Sequence, residues 1–186
     1  MVSGRHALTE SPEPPVDGRT EAETDDDLTA MYVDCRTIIY NYTLSRTGDP
    51  TTAEDLVGDV FERALSSWPS FQRRSSVRVW LLGIARHVVA DYWRQAARER
   101  PSAYSLLHVF EVHQGGPEEV AEREWLRSRL IAALATLSDD DRELLRLRYG
   151  ADLPFREIAT LLEKNEISLR VRQHRLLKRL RLALEQ

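Results

Sequence analysis

The stretch SSVRVWLLGIARHVVADYWRQAARER, residues 75–100, decides how the rest of the chain is read. Stepped at the helical angle, Leu81, Ile84, Ala85, Val88, Val89, Tyr92 and Ala96 share one broad arc, which predicts a helix over about residues 76–98 packed by that face. Trp80, Gly83, His87, Asp91, Arg94 and Arg98 fall in a narrow stripe on the opposite side. The stripe mixes a ring with cations and includes a glycine, where another backbone can come close because no side chain stands in the way. Just upstream, Trp68, Phe71, Arg73, Arg74, Ser75 and Ser76 form a second aromatic and basic cluster, read as a loop. Rings interleaved with arginines suit unpaired nucleic acid, because bases stack on rings at about 1–3 kcal/mol each while guanidinium groups hold the phosphates. By composition alone, core aromatics beside an ordinary solvated face fit equally well, and a lone His87 reads as a polar surface residue.

Working outward, the charge is strongly segregated. The net charge of −4 over 186 residues hides an acidic start and two basic patches. Residues 1–27 carry eight acids against Arg5 and Arg19. Residues 73–100 carry seven arginines against Asp91 and Glu99, and residues 163–182 carry seven cations against Glu163 and Glu166. Two basic patches set in an acidic remainder point to nucleic acid. No stretch approaches the roughly 20 unbroken apolar residues of a membrane span, and MVSGRHALTESPEPP lacks the apolar run of a secretory signal. A cytoplasmic protein without membrane insertion is expected. Cys35, the single cysteine, cannot form an internal disulfide or a cysteine-based zinc site, and its apolar neighbours predict a buried thiol.

The pattern predicts an all-α fold of two small helical domains joined by a flexible linker. Residues 1–26, rich in acid and proline, read as a disordered tail. The first domain spans 27–100. Its first helix begins near Leu28 and ends around Gly48-Asp49-Pro50, and its second starts at Thr51, which has capping-box spacing to Glu54. Residues 101–117, punctuated by Pro101, Gly115, Gly116 and Pro117, read as the linker. The second domain, 118–186, reads as four helices over about 118–136, 139–149, 154–162 and 166–184, with Ser138 and Asn165 as N-caps and Pro154 in a first turn. The last two form a helix, a short turn and a basic helix. Leu169, Leu176, Leu180 and Leu184 make its buried stripe, Ser168, Arg172, Arg175 and Arg179 lie together outside, and Arg170, Val171, His174 and Lys178 flank them. A helix-turn-helix places the N-terminal part of such a helix in the major groove; a basic surface helix contacting a partner is the plainer alternative.

Taken in order, AEDLVGDVFERAL, WPSFQRRSSVRVWLLGIARHVVADYWR, LATLSDDDRELLRLRYGADLPFREIATLL and LRVRQHRLLKRLR resemble the extracytoplasmic-function (ECF) group of the sigma-70 family of bacterial RNA polymerase initiation factors. The resemblance runs from about residue 28 to 186. It implies that the first domain is a region 2 that docks on the polymerase clamp, melts the −10 element and holds its non-template strand, and that the second is a region 4 that reads the −35 element as duplex. On that resemblance Asp55, Leu56, Asp59, Val60 and Arg63 lie on the clamp-facing helix. The loop from Phe71 to Ser76, with Arg73 and Ser75, becomes the base-capturing loop, and Arg78, Trp80, Arg86, His87, Asp91 and Arg94 join the strand-binding and melting helix that Arg98 extends. The linker, with its exposed LLHVF, is expected to thread toward the polymerase active site.

The implied partners are core RNA polymerase, at clamp and flap, promoter DNA both duplex and single-stranded, and an anti-sigma protein. No cofactor, metal or catalytic residue is implied. The chain departs from the family at Glu163 and Lys164, where the turn usually has glycine then an apolar residue, at Ile167 and Gln173, and at His87, which replaces a usual asparagine. A non-glycine residue in a left-handed turn costs about 1 kcal/mol, so a differently built turn is expected. An autonomous helix-turn-helix regulator working through residues 154–182 is the competing class, and it requires tight duplex binding without polymerase, which the net charge disfavours. An enzyme is remote, for there is no phosphate-cradling glycine loop, metal-ligand spacing or nucleophile motif.

Overall fold

A computed structural model describes residues 21–96, 106 and 120–185, the backbone alone at 21–28 and 120–123. Three helices form the first half: α1 (Glu21–Thr47), α2 (Pro50–Ser67) and α3 (Val77–Ala96), with a single 3-10 turn at Trp68–Ser70. The second half holds α4 (Val120–Ala135), α5 (Asp139–Leu145), a π turn at Arg146–Gly150, α6 (Phe155–Leu162) and α7 (Glu166–Glu185). α1 begins inside the segment expected to be tail, so residues 21–26 are helical, while residues 1–20 lie outside the described residues.

Local chemistry explains where the elements start. Asp49, rather than Thr51, caps α2: its Oδ2 accepts from Thr52 N at 2.7 Å, and Pro50 occupies the first turn, where a missing N–H costs nothing. The Thr52 hydroxyl and backbone N–H hold the Asp49 carboxyl below its usual range. Ser138 caps α5 by accepting from Asp141 N, and Asn165 Oδ1 accepts from Ile167 N and Ser168 N at the start of α7. Between α6 and α7, Glu163 takes the left-handed conformation at φ 52°, ψ 42°. The turn is therefore built as glycine would build it, contrary to the expectation of a different construction. Lys164 N closes it on Ala159 O, and Lys164 Nζ bonds Asp140 at 2.7 Å.

The larger correction concerns the cores. The two halves are not separately packed. One apolar cluster joins Ile39, Leu81, Leu82 and Val89 of the first half to Leu144, Leu147, Leu153 and Ile158 of the second, with α6 against α3 and the π turn against α1. The cause lies in Glu143-Leu144-Leu145-Arg146-Leu147, five consecutive buried residues that leave this turn of helix no solvent face. Leu144 and Leu147 enter the shared cluster; Leu145 enters a smaller one with Leu134, Leu137, Leu176 and Leu180. A fully buried leucine contributes about 1.5–3 kcal/mol, so uncovering even two outweighs any single surface ion pair. Leu106, expected to be exposed in the linker, is fully buried in the smaller cluster; the rest of LLHVF lies outside the described residues. Cys35 is buried as expected, and desolvation pushes its thiol up.

Candidate nucleic-acid interfaces

The first surface is built on the end of α2, the loop after it and α3. Trp68, Phe71 and Trp80 form a triangle of rings with centroids 5.5, 5.8 and 4.7 Å apart, all half-buried. Each ring keeps part of its area open while its neighbours fix its orientation, a favourable geometry for receiving a flat base. Trp68 and Trp80 also pack on the shared core, which is the packing role weighed for these aromatics from the sequence. The loop reverses at Arg73, which has φ 52°. Arg74, His87 and Arg94 are exposed, and Ser75 is half-buried. Arg98 lies outside the described residues.

Other residues of this set are occupied. Asp91 accepts from Arg63 at 3.1 Å and from Arg94 at 2.7 Å; the Arg63 bond leads in holding its carboxyl below the usual range. This pair ties α2 to α3. Ser76 Oγ accepts from Val79 N and donates to Glu157 of α6 at 2.9 Å. Arg78 donates to the carbonyl of Ala151, and Arg86 donates to the carbonyl of Leu161 at 2.9 Å. Around Glu143, which is 8% exposed, the halves meet in a buried polar network. Tyr42 Oη donates to its Oε1 at 2.9 Å, Arg86 Nε lies 3.3 Å from the same oxygen, and Arg46 and Arg146 approach Oε2 at 3.2 and 3.7 Å. Burial and the nearby Glu143 carboxylate push the Tyr42 phenol upward, so it donates as the neutral form. Burial, reinforced by Arg46, pushes the Arg146 guanidinium down to about 10, against the opposing pull of Glu143. The sequence singled out neither Glu143 nor Arg146; the available signal was their position among the leucines of ELLRLRY, with Glu143 four residues from Leu147 on one helical face.

Of the clamp-facing set, Asp55, Asp59 and Arg63 are exposed. Leu56 and Val60, assigned to the same set, are corrected: at 4% and 0% exposure they lie in the core, out of reach of any partner docked on this surface. Exposed apolar area beside α2 comes from Tyr32, whose ring centroid sits 4.7 Å from that of Phe61, and from Leu65, one turn beyond Phe61.

The second surface is α7. Ser168, Val171, His174, Arg175, Lys178 and Arg179 are exposed along it. Asp141, Ser168, Val171, Arg172, Arg175 and Arg179 line an open groove. Arg170 bonds Glu166 Oε1 at 2.6 Å and lies 4.7 Å over the Phe155 ring. Arg172 behaves differently from its neighbours. Its Nε donates to Asp141 at 2.6 Å, its Nη1 to Asp140 at 3.4 Å and its Nη2 to Ser138 Oγ at 3.2 Å, which clamps α7 to the start of α5. Gln173, in a usually apolar position, is half-buried and donates to the Tyr149 hydroxyl at 2.6 Å.

Comparison with known proteins finds matches for both halves of the chain. The family profile for Sigma-70 region 2 matches residues 31–99, and that for Sigma-70, region 4 matches residues 133–182. The ECF RNA polymerase sigma factor SigX of Bacillus subtilis (strain 168) is 33% identical over 156 residues, covering 79% of this chain and 78% of the relative. The chain belongs to the ECF group of sigma-70 factors. SigD of Mycobacterium tuberculosis (strain CDC 1551 / Oshkosh) is 30% identical to this sigma factor over 151 residues, covering 78% of the chain and 71% of the relative. Its fold is shared by the sigma factor RpoE in complex with the anti-sigma factor NepR from Bartonella quintana, with TM-score 0.58, 19% identity and coverage of 88% and 97% of the two chains. CnrH in complex with the cytosolic domain of CnrY gives TM-score 0.57 at 19% identity, covering 89% and 90%. α1 to α3 are thus region 2, and α5 to α7 with the end of α4 are region 4. The protein is an RNA polymerase sigma factor, a transcription initiation factor. No helix among the described residues is long and apolar enough to cross a membrane.

Proposed function

We propose that the two surfaces divide promoter recognition between them. The exposed edges of Phe71 and Trp80, with Arg73, Ser75, His87 and Arg94, take unstacked bases and backbone of the −10 non-template strand once Arg78 and Arg86 are free to join them. Ser168, Val171, His174, Arg175, Lys178 and Arg179 of α7 face the −35 duplex, with Arg170 beside them. Arg172 holds the recognition helix in position. The observation that carries this reading is the difference in composition between the surfaces: three mutually packed rings flanked by arginines on one, and an exposed cationic helix without rings on the other. Stacking platforms suit single strands, whereas a bare cationic helix suits a groove.

The mechanism is binding energy with no bond-making step of its own. Region 4 fixes position on duplex, region 2 traps bases that have left the stack, and the trapped state draws the closed complex toward the open one. The exposed Asp55, Asp59 and Arg63, together with the ring of Tyr32 and with Leu65, form the face offered to the polymerase clamp. An anti-sigma protein is a further partner, as the solved relatives bound to such proteins suggest, and the site of action is the cytoplasm. Purified protein added to core polymerase is expected to give promoter-dependent transcripts from a genomic template. Tight duplex binding by the protein alone, with no effect of core polymerase in a gel shift, would overturn the reading in favour of an autonomous regulator.

A further inference from the structure

The line of α7 that points most directly away from the core begins apolar. The buried stripe of this helix is Leu169, Leu176 and Leu180. Stepped at the helical angle, the opposite line runs through Ile167, Val171, His174 and Lys178, all exposed. Ile167, at 71%, is the most exposed large apolar side chain among the described residues, and Val171, one turn on, is 43% exposed. Asn165 Oδ1 accepts from the Ile167 N–H at 2.9 Å, which fixes Ile167 in the first turn. Ile167 is also one of the positions at which the chain departs from its family. We propose that Ile167 and Val171 are specificity-determining residues that read thymine C5-methyl groups in the major groove of the −35 duplex, so that this factor selects thymine at the base pairs beneath the start of α7. The proposal rests on the reading of α7 as the −35 recognition helix.

The N-terminal residues of a recognition helix meet base edges. In the major groove only thymine presents an apolar group, its C5-methyl; guanine and adenine present N7 acceptors and cytosine an amino donor. A branched hydrocarbon therefore matches thymine and leaves the polar edge of any other base desolvated without a partner. Both side chains are β-branched, which in a helix leaves one strongly preferred χ1, so little freedom is lost on contact. The charges stand to either side of this apolar line. Arg175 is exposed on one flank and Arg170 on the other, placed for the phosphate backbones that border a groove. Glu166, the acid of the first turn, is paired with Arg170 at 2.6 Å and so presents no bare carboxylate to DNA. Ser168, between the two apolar residues, donates its hydroxyl to the Asn165 carbonyl at 2.7 Å, which uses its one proton within the cap. The readers left at this end of the helix are Ile167 and Val171.

The test assembles the full chain with its own core polymerase and enriches binding sites from a random-sequence duplex pool. Each thymine of the enriched upstream element is then replaced singly by uracil, which keeps the base pair and removes only the methyl. Competition gel shifts read relative affinity. Wild type is expected to lose about fourfold, the effect of burying one methyl, at one or two of these positions. Ile167→Ala and Val171→Ala should bind the thymine duplex about fourfold more weakly and no longer distinguish uracil where they act. Alanine favours the helix, so a lost helix is not the cause. Arg175→Ala should weaken binding to both duplexes by the same factor and keep the discrimination. Indifference of wild type to uracil at every position, discrimination that survives in both apolar-to-alanine variants, or an enriched element without thymine overturns the methyl reading. A pool that yields no upstream element, or an element bound equally by wild type and by the double variant Arg175→Ala, Lys178→Ala, overturns instead the reading of α7 as the recognition helix.

Discussion

Region 2 and region 4 each present a cationic helix, and the structure treats the two in opposite ways. On α3 the guanidiniums nearest the second half, Arg78 and Arg86, already have partners there. On α7 the single guanidinium drawn inward, Arg172, is held by region 4 itself, and Arg175, Lys178 and Arg179 face solvent. The difference shows that a count of exposed arginines does not rank binding surfaces; what each guanidinium already holds has to be known.

The most damaging change to that contrast is Leu147→Ala, in the shared core. It is expected to cost about 2–5 kcal/mol, and urea melting followed by tryptophan emission and by far-UV circular dichroism should shift as one transition. Two separated transitions would show that the halves do not support each other. Trp80→Ala comes next. Loss of one stacking platform, at about 1–3 kcal/mol, should reduce promoter opening about tenfold or more, read by permanganate reactivity of unpaired thymines, with closed-complex formation little changed. Equal loss in both would make the ring a packing residue only. Arg175→Ala should weaken duplex binding and lower the slope of log affinity against log salt by about 1, while leaving single-strand binding as it was.

Two smaller effects sharpen the contrast from the region 4 side. Glu163→Gly removes a side chain from a left-handed position and should raise stability by about 1 kcal/mol, seen as a higher melting temperature with duplex affinity retained. Acid should loosen the Arg172 clamp. Lys164 holds the Asp140 carboxyl below its usual range; at Asp141 partial burial pushes upward, but the Arg172 bond outweighs it and the net shift is also downward. Carboxylates lowered in the folded state contribute stability that is complete above the ordinary pKa near 4 and lost as pH falls through the lowered values. Thermal melts should therefore fall below about pH 4, and Arg172→Ala should flatten that limb while lowering stability at neutral pH by on the order of 1 kcal/mol or less.

Much of this was legible in the residues. The α7 stripe of Leu169, Leu176, Leu180 and Leu184 follows directly from helical spacing; the first three are buried and Leu184, in the last turn, is half-buried. Ser138 and Asn165 announced two helix starts because few other side chains satisfy the first N–H groups. Glu163 announced a turn that costs energy, though the expectation that the chain would avoid it was wrong: the Lys164–Asp140 bond and the Asn165 cap hold it in place. Asp49 escapes notice as a cap since Thr51 and Glu54 mimic a capping box two residues late. Leu56 and Val60 were given to a partner because a family motif records position along a helix and not which residues point inward. The joined core was hidden for a different reason. Periodicity shows that a face is apolar but not which other face it meets, and the two charges among Glu143 to Leu147 read as an ordinary solvent side, although both are buried.

The buried Leu106 limits how far the halves can travel apart. From Ala96 at the end of α3 to Leu106 the chain has ten residue steps, and from Ala96 to Val120 it has twenty-four. Fully stretched, these reach about 35 Å and 80 Å. While Leu106 stays seated beside Leu134 and Leu176, region 4 trails region 2 on the short leash; pulling that one side chain out more than doubles the radius within which the recognition helix can search for its half of the promoter.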